Sequence, residues 1–591
     1  MTVKVASATR LDTAPIASSD FLAPGSRQSA VARRAGGDAL RLGMSLLAAA
    51  ILGVLVLLPL IWLAGLAFTG AGTVTAQHFQ EAFGDALTRK AVVNSIILSA
   101  GVAIGAALLG VPLAWAVSRT NMPFGNAVRY VAVATFVIPP YLTASAWILL
   151  GGPNAGRINV LLRSLTGTDI TLFNVFSLPG LIFVMSLYAY PLVFLPVANA
   201  LSELPGELEE SSQTLGAGRL RTFFCVTLPL VLPAVAAGVT LAFLEAISEF
   251  GAPAVLGIPA GVTVITTRLV AYLQYPPELQ LAAAVSLPSI GFVVILLYIQ
   301  RRLLGKRGYG VVSGGPGSGA RKVRFTGWRR WLILSLVLPV PVASLALPGL
   351  TLASAAFSKA WGRGLTRENI TLENFRTTLG GSSGAMQALA HSVELAVGAA
   401  TIATVLGLLL AYSARRQLLI GARFHSTVAV IPYALPGVVL GIGLFAAYTH
   451  APIQLYGTLF VIVLAYVTRT LPLTFTVTAA GLQQINADLE LAARTLGASG
   501  ARAATGITLP LLGLSLISSW ILAFMPSLSE FSASVVLATG QTQVASTYIY
   551  NLEAEGRFEE VAALGVCMVI ITLVAFLLLQ VARSYVKVRR D

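Results

Sequence analysis

The chain has 591 residues, 56% of them hydrophobic and only 11% charged, with a mean hydropathy of +0.81. That little charge cannot cover a soluble surface, so composition excludes a soluble globular protein and points to a polytopic membrane protein. The formal charge of +15 raises nucleic-acid binding, but the basic residues gather in particular loops, as the positive-inside rule predicts, and topology accounts for them.

Residues 1–40 are Ala/Ser-rich with scattered charge and are expected to form a disordered cytoplasmic tail. Apolar runs of about 20 residues follow, each long enough to cross a hydrocarbon core. They fall at 44–68, 92–117, 128–150, 178–201, 226–250 and 282–300, then at 331–356, 392–413, 425–448, 456–482, 507–527 and 561–582. The first is too long for a signal-peptide core and is read as a span. Arg301 to Arg330 holds nine Lys or Arg and no acid, Arg415, Arg416 and Arg423 fill another short loop, and Arg583 to Arg590 is basic. With these loops cytoplasmic, both termini lie inside, and the acidic stretch Glu553 to Glu559 lies outside. Cys225 and Cys567 are far apart and support neither a disulfide framework nor a metal site.

The chain repeats itself. "EESSQTLGAGRLRTFFCVTLP" from Glu209 matches "ELAARTLGASGARAATGITLP" from Glu490, 281 positions later. The register pairs Glu209, Gly216, Arg221, Leu228 and Pro229 with Glu490, Gly497, Arg502, Leu509 and Pro510. It also pairs Ser248-Glu249-Phe250 with Ser529-Glu530-Phe531, and Tyr188 with Arg469. Upstream, the segment from Asn94 resembles that from His391 at an offset of 297, so the first half carries extra residues, most simply in the loop beginning at Gly151. The expected fold is all-α: a first half over 41–300, a basic Gly/Pro/Ser linker over 301–330 and a second half over 331–591, with six spans in each. The linker mimics a phosphate loop, but Ala320 stands where the Walker lysine belongs, so the chain is not expected to bind ATP.

The repeated segments, 204–229 and 485–510, lie between the fourth and fifth spans of their halves, on the cytoplasmic side. Acidic first turns, with Pro205 at the start of one and Asn486 as N-cap of the other, predict short helices ending at Gly216 and Gly497. A single copy reads equally well as an ordinary amphipathic loop. Two equivalent copies suit the docking of two copies of one soluble partner.

The segments resemble the EAA motif of ABC importer permeases, in which Glu-Ala-Ala is followed by Gly, an aliphatic and Leu-Pro at fixed spacing. The first copy supplies Glu210, Gly216, Val226 and Leu228-Pro229, with Ser211 and Ser212 for the alanines. The second supplies Ala492, Ala493, Gly497, Ile507 and Leu509-Pro510, with Leu491 for the glutamate and Glu490 one residue early. The fused halves and the loop "LLGGPNAGRINVLL" look most like the ferric-iron branch. The resemblance implies the ABC importer transmembrane fold in a bacterial inner membrane. It further implies coupling through these elbows to two ATPase subunits that use ATP and Mg, and a periplasmic or lipid-anchored binding protein. Glu210 and Glu490 would then face the ATPase, with Glu209, Arg221, Leu228, Pro229, Arg502, Leu509 and Pro510 completing the elbows.

Ferric iron is the leading cargo, with 2-aminoethylphosphonate, a polyamine or thiamine as alternatives and an ion-coupled secondary transporter as a remoter one. Within the spans, Glu249, Glu530, Tyr188 and Arg469 are candidates for the pathway or gate, since ionisable groups are costly there. Arg469 is positioned to hold an anion or to pair with a carboxylate such as Glu394. No catalytic or metal constellation is evident.

Overall fold

The computed structural model describes residues 41–305 and 323–588, apart from 71–72, 169–170, 172, 365, 381–383, 417, 450–453 and 487. The expected tail at 1–40 and most of the linker lie outside the described residues. Among the described residues, ten continuous helices are long and apolar enough to cross a membrane. In the first half they are α1 (Arg41–Phe68), α2 (Ala86–Arg119), α5 (Leu178–Glu203), α7 (Phe223–Ser248) and α8 (Leu279–Gln300). In the second they are α9 (Arg329–Ala356), α10 (Gly384–Arg415), α13 (Leu459–Gln483), α15 (Gly500–Leu528) and α17 (Phe558–Leu578).

The expected spans at 128–150 and 425–448 are corrected: neither is one straight helix. Gly125–Val137 (α3) meets Pro140–Gly151 (α4) at 99°, and Ala422–Tyr433 (α11) meets Gly437–Tyr448 (α12) at 111°. Prolines cause both breaks. Pro139-Pro140 and Pro436 remove amide donors and push the preceding residue out of the helical region. Ile138 and Leu435 accordingly adopt extended ψ values of 118° and 124°. Such a break is tolerated at membrane depth only where protein surrounds it, and α4 and α12 are buried along almost their whole length.

Each half is built on a core of three helices, α2, α5 and α7 in the first and α10, α13 and α15 in the second. Where α2 meets α5 it presents Gly101, Gly105 and Gly110, and where α10 meets α13 it presents Ala403 and Gly407. Small residues one turn apart let the backbones approach closely, which drives helix association where lipid offers no hydrophobic gain. The first helix of each half crosses to the other. Helix α1 packs on α12, and α9 packs on α4. One continuous apolar core therefore runs through both halves.

Side-chain contacts fix the direction of the chain. Arg119, at the end of α2, lies 3.6 Å from Glu209, just beyond the end of α5. The two helices thus end at the same face, so the bent pair between them must carry the chain back across. Arg416 and Glu490 make the same argument for the second half. Val323 pairs with Thr120 at that face.

At the opposite face Asp85 caps α2, accepting from the amides of Leu87 and Thr88 and from Arg268 at 2.8 Å. Burial works against its charge, but these hydrogen bonds and the guanidinium outweigh it and hold the carboxyl below its ordinary range. Its stabilising effect is therefore complete above the ordinary value of 3.8 and lost as the pH falls through the lower, folded value. Asp85→Asn, which keeps a capping oxygen but removes the charge beside Arg268 and the helix N-terminus, should lower stability by about 0.5–1 kcal/mol at neutral pH. Thermal unfolding in detergent should show that difference shrinking below pH 4, whereas a deficit that is independent of pH would contradict the cap.

Candidate functional site

The two repeated segments fold as expected into elbows outside the spans. In the first, α6 (Gly206–Thr214) stops before Gly216, whose φ is 87°, and a short turn Arg219–Thr222 leads into α7. In the second, α14 (Asp488–Thr495) stops before Gly497, with φ 92°, and Gly500 starts the next span. Asn486 accepts from the Asp488 amide, as its N-cap role predicts. Both glycines sit in the left-handed region, where a Cβ is strained, and both are exposed. Arg221 and Arg502 are exposed, as are Pro229 and Pro510 where the next spans begin, while Leu228 is half-buried and Leu509 exposed.

The acidic residues divide differently from the expectation. Glu210 is exposed. Glu490, expected to face outward, is buried and turned inward, where it pairs with Arg416 and accepts hydrogen bonds from Thr508 and Tyr412. Its counterpart Glu209 also turns inward, accepting from Thr227 at 2.7 Å. The reason is register: Glu490 matches Glu209, while the position matching Glu210 holds Leu491, which is exposed. Arg119 and Arg416 were not legible as partners of these acids, because a cation at a span end reads as topology. Only the offset of 297 that pairs them marks them out.

The four intramembrane candidates come together. Tyr188, Glu249, Arg469 and Glu530 line one cavity of about 290 Å³, with Glu245 and Phe531. A second, of about 190 Å³, shares Glu245, Arg469 and Glu530 and adds Tyr433 and Tyr466. Arg469 pairs with Glu530 at 2.8 Å rather than with Glu394. Glu530 is held further by the Ala533 amide at 3.0 Å, and Glu249 by the Gly251 amide at 2.8 Å. Tyr188 packs edge-on to Phe136 at 5.6 Å. Glu245 was legible only as a neighbour of Glu249 one turn away; its counterpart Pro526 hid it from the repeat.

The two acids stand at the ends of α7 and α15 opposite the elbows, and of the residues after them Phe531 lines the cavity. Phe250 and Phe531, equivalent residues from the two halves, meet at 5.0 Å, and Tyr141 and Tyr550 pack on Phe531 at 5.4 and 5.5 Å. Among the described residues no group of three His, Cys, Asp or Glu is placed to hold a metal ion. His391, at the edge of its span, contacts the Gln543 carbonyl at 3.0 Å. Arg469→Met should cost about 3–5 kcal/mol by leaving Glu530 buried and unpaired. Arg469→Met with Glu530→Gln should recover most of it in thermal unfolding, and a double variant as unstable as the single would refute the pairing.

Comparison with known proteins agrees with this architecture. The family of binding-protein-dependent transport system inner membrane components matches residues 106–307 and 403–589, one stretch in each half. The ferric transport system permease protein FbpB of Actinobacillus pleuropneumoniae is 28% identical over 516 residues, 86% of this chain and 73% of that protein. The putative ferric transport system permease protein FbpB 1 of Haemophilus influenzae is 27% identical over 485 residues, 81% of this chain and 75% of that protein. The putative 2-aminoethylphosphonate transport system permease protein PhnV of Salmonella paratyphi A is 30% identical over 234 residues, 40% of this chain and 87% of that protein. With both halves matched and the elbows in place, the chain belongs to the binding-protein-dependent transport system inner membrane components, with two homologous halves fused in one chain.

Proposed function

We propose that this permease imports ferric iron by alternating access, powered by two copies of a separate cytoplasmic ATPase. The observation that carries the energetic part is the pair of equivalent elbows at one membrane face, each ending its short helix in a left-handed glycine turn. Such a pair suits a dimer of identical motor subunits. ATP and Mg belong to those subunits, since the linker lacks the Walker lysine. A periplasmic or lipid-anchored binding protein delivers the cargo to the opposite face. On this reading both termini are cytoplasmic, in a bacterial inner membrane.

The cavity fits such a cycle. Phe250 of one half packs against Phe531 of the other beside it, and on this reading entry from outside separates the two rings. Motor closure draws the elbows together and, through α7 and α15, moves the far ends where those rings sit. For the cargo, three carboxyls (Glu245, Glu249 and Glu530) against one guanidinium (Arg469) favour a cation, and carboxylate and phenol oxygens suit hard ions. The unshared guanidinium nitrogen of Arg469 is the feature that favours an anion such as 2-aminoethylphosphonate.

Proteoliposomes holding the permease, its ATPase and its binding protein should accumulate ferric iron only with ATP inside the motor compartment. Accumulation of 2-aminoethylphosphonate and not iron would overturn the cargo. Gly216→Val or Gly497→Val, which forces a β-branched residue into the left-handed turn, should reduce uptake about tenfold or more while the protein still inserts. Normal transport by Gly497→Val would rule out the elbow as the coupling element.

A further inference from the structure

We propose that a buried side-chain brace ties each elbow to two helices of its half, and that the brace residues position the elbow so that motor movement reaches the spans. The braces are Arg119–Glu209–Thr227 and Arg416–Glu490–Thr508. The proposal rests on the reading of the elbows as ATPase docking elements and deepens it.

The two braces are equivalent by register. Glu209 and Thr227 map onto Glu490 and Thr508 at 281, and Arg119 maps onto Arg416 at 297. In both, the threonine that opens the span after the elbow donates to the glutamate of the elbow helix, 18 residues earlier. In both, an arginine from the end of α2 or α10 closes on the same carboxylate. In the first half Arg119 also donates to the Leu204 carbonyl at 3.1 Å, in the turn that leads into the elbow. The equivalent carbonyl in the second half, that of Ile485, takes Arg415 at 2.5 Å. One arginine in the first half thus does what Arg415 and Arg416 share in the second. Tyr412 adds a donor to Glu490 at 3.4 Å.

Burial gives these contacts weight. One partner of each pair is buried, Arg119 at 1% and Glu490 at 6% exposure, while Glu209 and Arg416 are half-buried, so water competes for these charges only in part. Helices of nine and eight residues hold no fixed position by themselves. A push on such an element, hinged at a glycine, would fold the hinge before moving a span. The inward glutamate removes that freedom by joining the elbow helix, the following span and the end of α2 or α10. Glu210 and Leu491, one residue on, face away and leave the outer surface for the partner. The two adjacent positions therefore divide the work, one acting outward and one inward.

The test uses the full permease with its ATPase and binding protein in proteoliposomes, measuring ATP hydrolysis and cargo uptake in the same vesicles. Arg119→Met, Glu209→Gln, Arg416→Met and Glu490→Gln should retain the ATPase on purification and keep hydrolysing, while cargo moved per ATP falls about threefold or more. Arg119→Met with Glu209→Gln should be no worse than either single change. If the charge variants misfold, Thr227→Val and Thr508→Val, which remove only the hydroxyl, should lower the same ratio in the same direction. Assembled variants with an unchanged transport-to-hydrolysis ratio would overturn the brace and leave the docking reading intact. A wild-type permease that neither retains the ATPase nor alters its hydrolysis would overturn the docking reading itself.

Discussion

Hydrocarbon offers a backbone no hydrogen-bond partner but the chain itself, and the arrangement of this protein follows from that constraint. Each lipid-facing segment must be continuous helix, so irregular backbone and charge are confined to three kinds of place. They occur at the faces, where the elbows and Asp85 lie. They occur at the proline breaks, which α4 and α12 bury inside protein. They also occur in the central cavity, where Glu530 and Arg469 satisfy one another. Everything that bears on function lies in one of the three.

The pseudo-symmetry is close in the backbone and loose in the chemistry. The three-helix cores, the bent pairs and the elbows recur in both halves, and Phe250 meets its equivalent Phe531. The cavity does not recur: Tyr188 faces Arg469 by register, and Glu245 faces Pro526. Packing constrains both halves alike, because small residues must lie where helices touch. The cavity lining is under no such packing demand, so the two halves are free to differ there. The result is a cavity with acid on one side and an acid–base pair on the other.

Much of this was legible in the sequence, for identifiable reasons. A fixed offset between Glu209 and Glu490 exposes the elbows, because register survives where residue identity does not. The same offset sets Glu249 opposite Glu530. The bent pairs were hidden because hydropathy measures how apolar a run is, not the direction it takes; Pro139-Pro140 and Pro436 were the available signal. The inward turn of Glu490 was hidden because a motif marks a position without saying which way its side chain points. Arg119 was hidden because its partner lies 90 residues away, in the first turn of the elbow helix.

The exchange of first helices carries a mechanical consequence. Because α1 lies on α12 and α9 lies on α4, neither half contains all of its own packing. Each grips the other by an arm, as two people linking elbows do. A tilt of one half therefore bears directly on a helix belonging to its neighbour. A cut in the peptide between them would leave that grip in place, and the joint survives without the hinge.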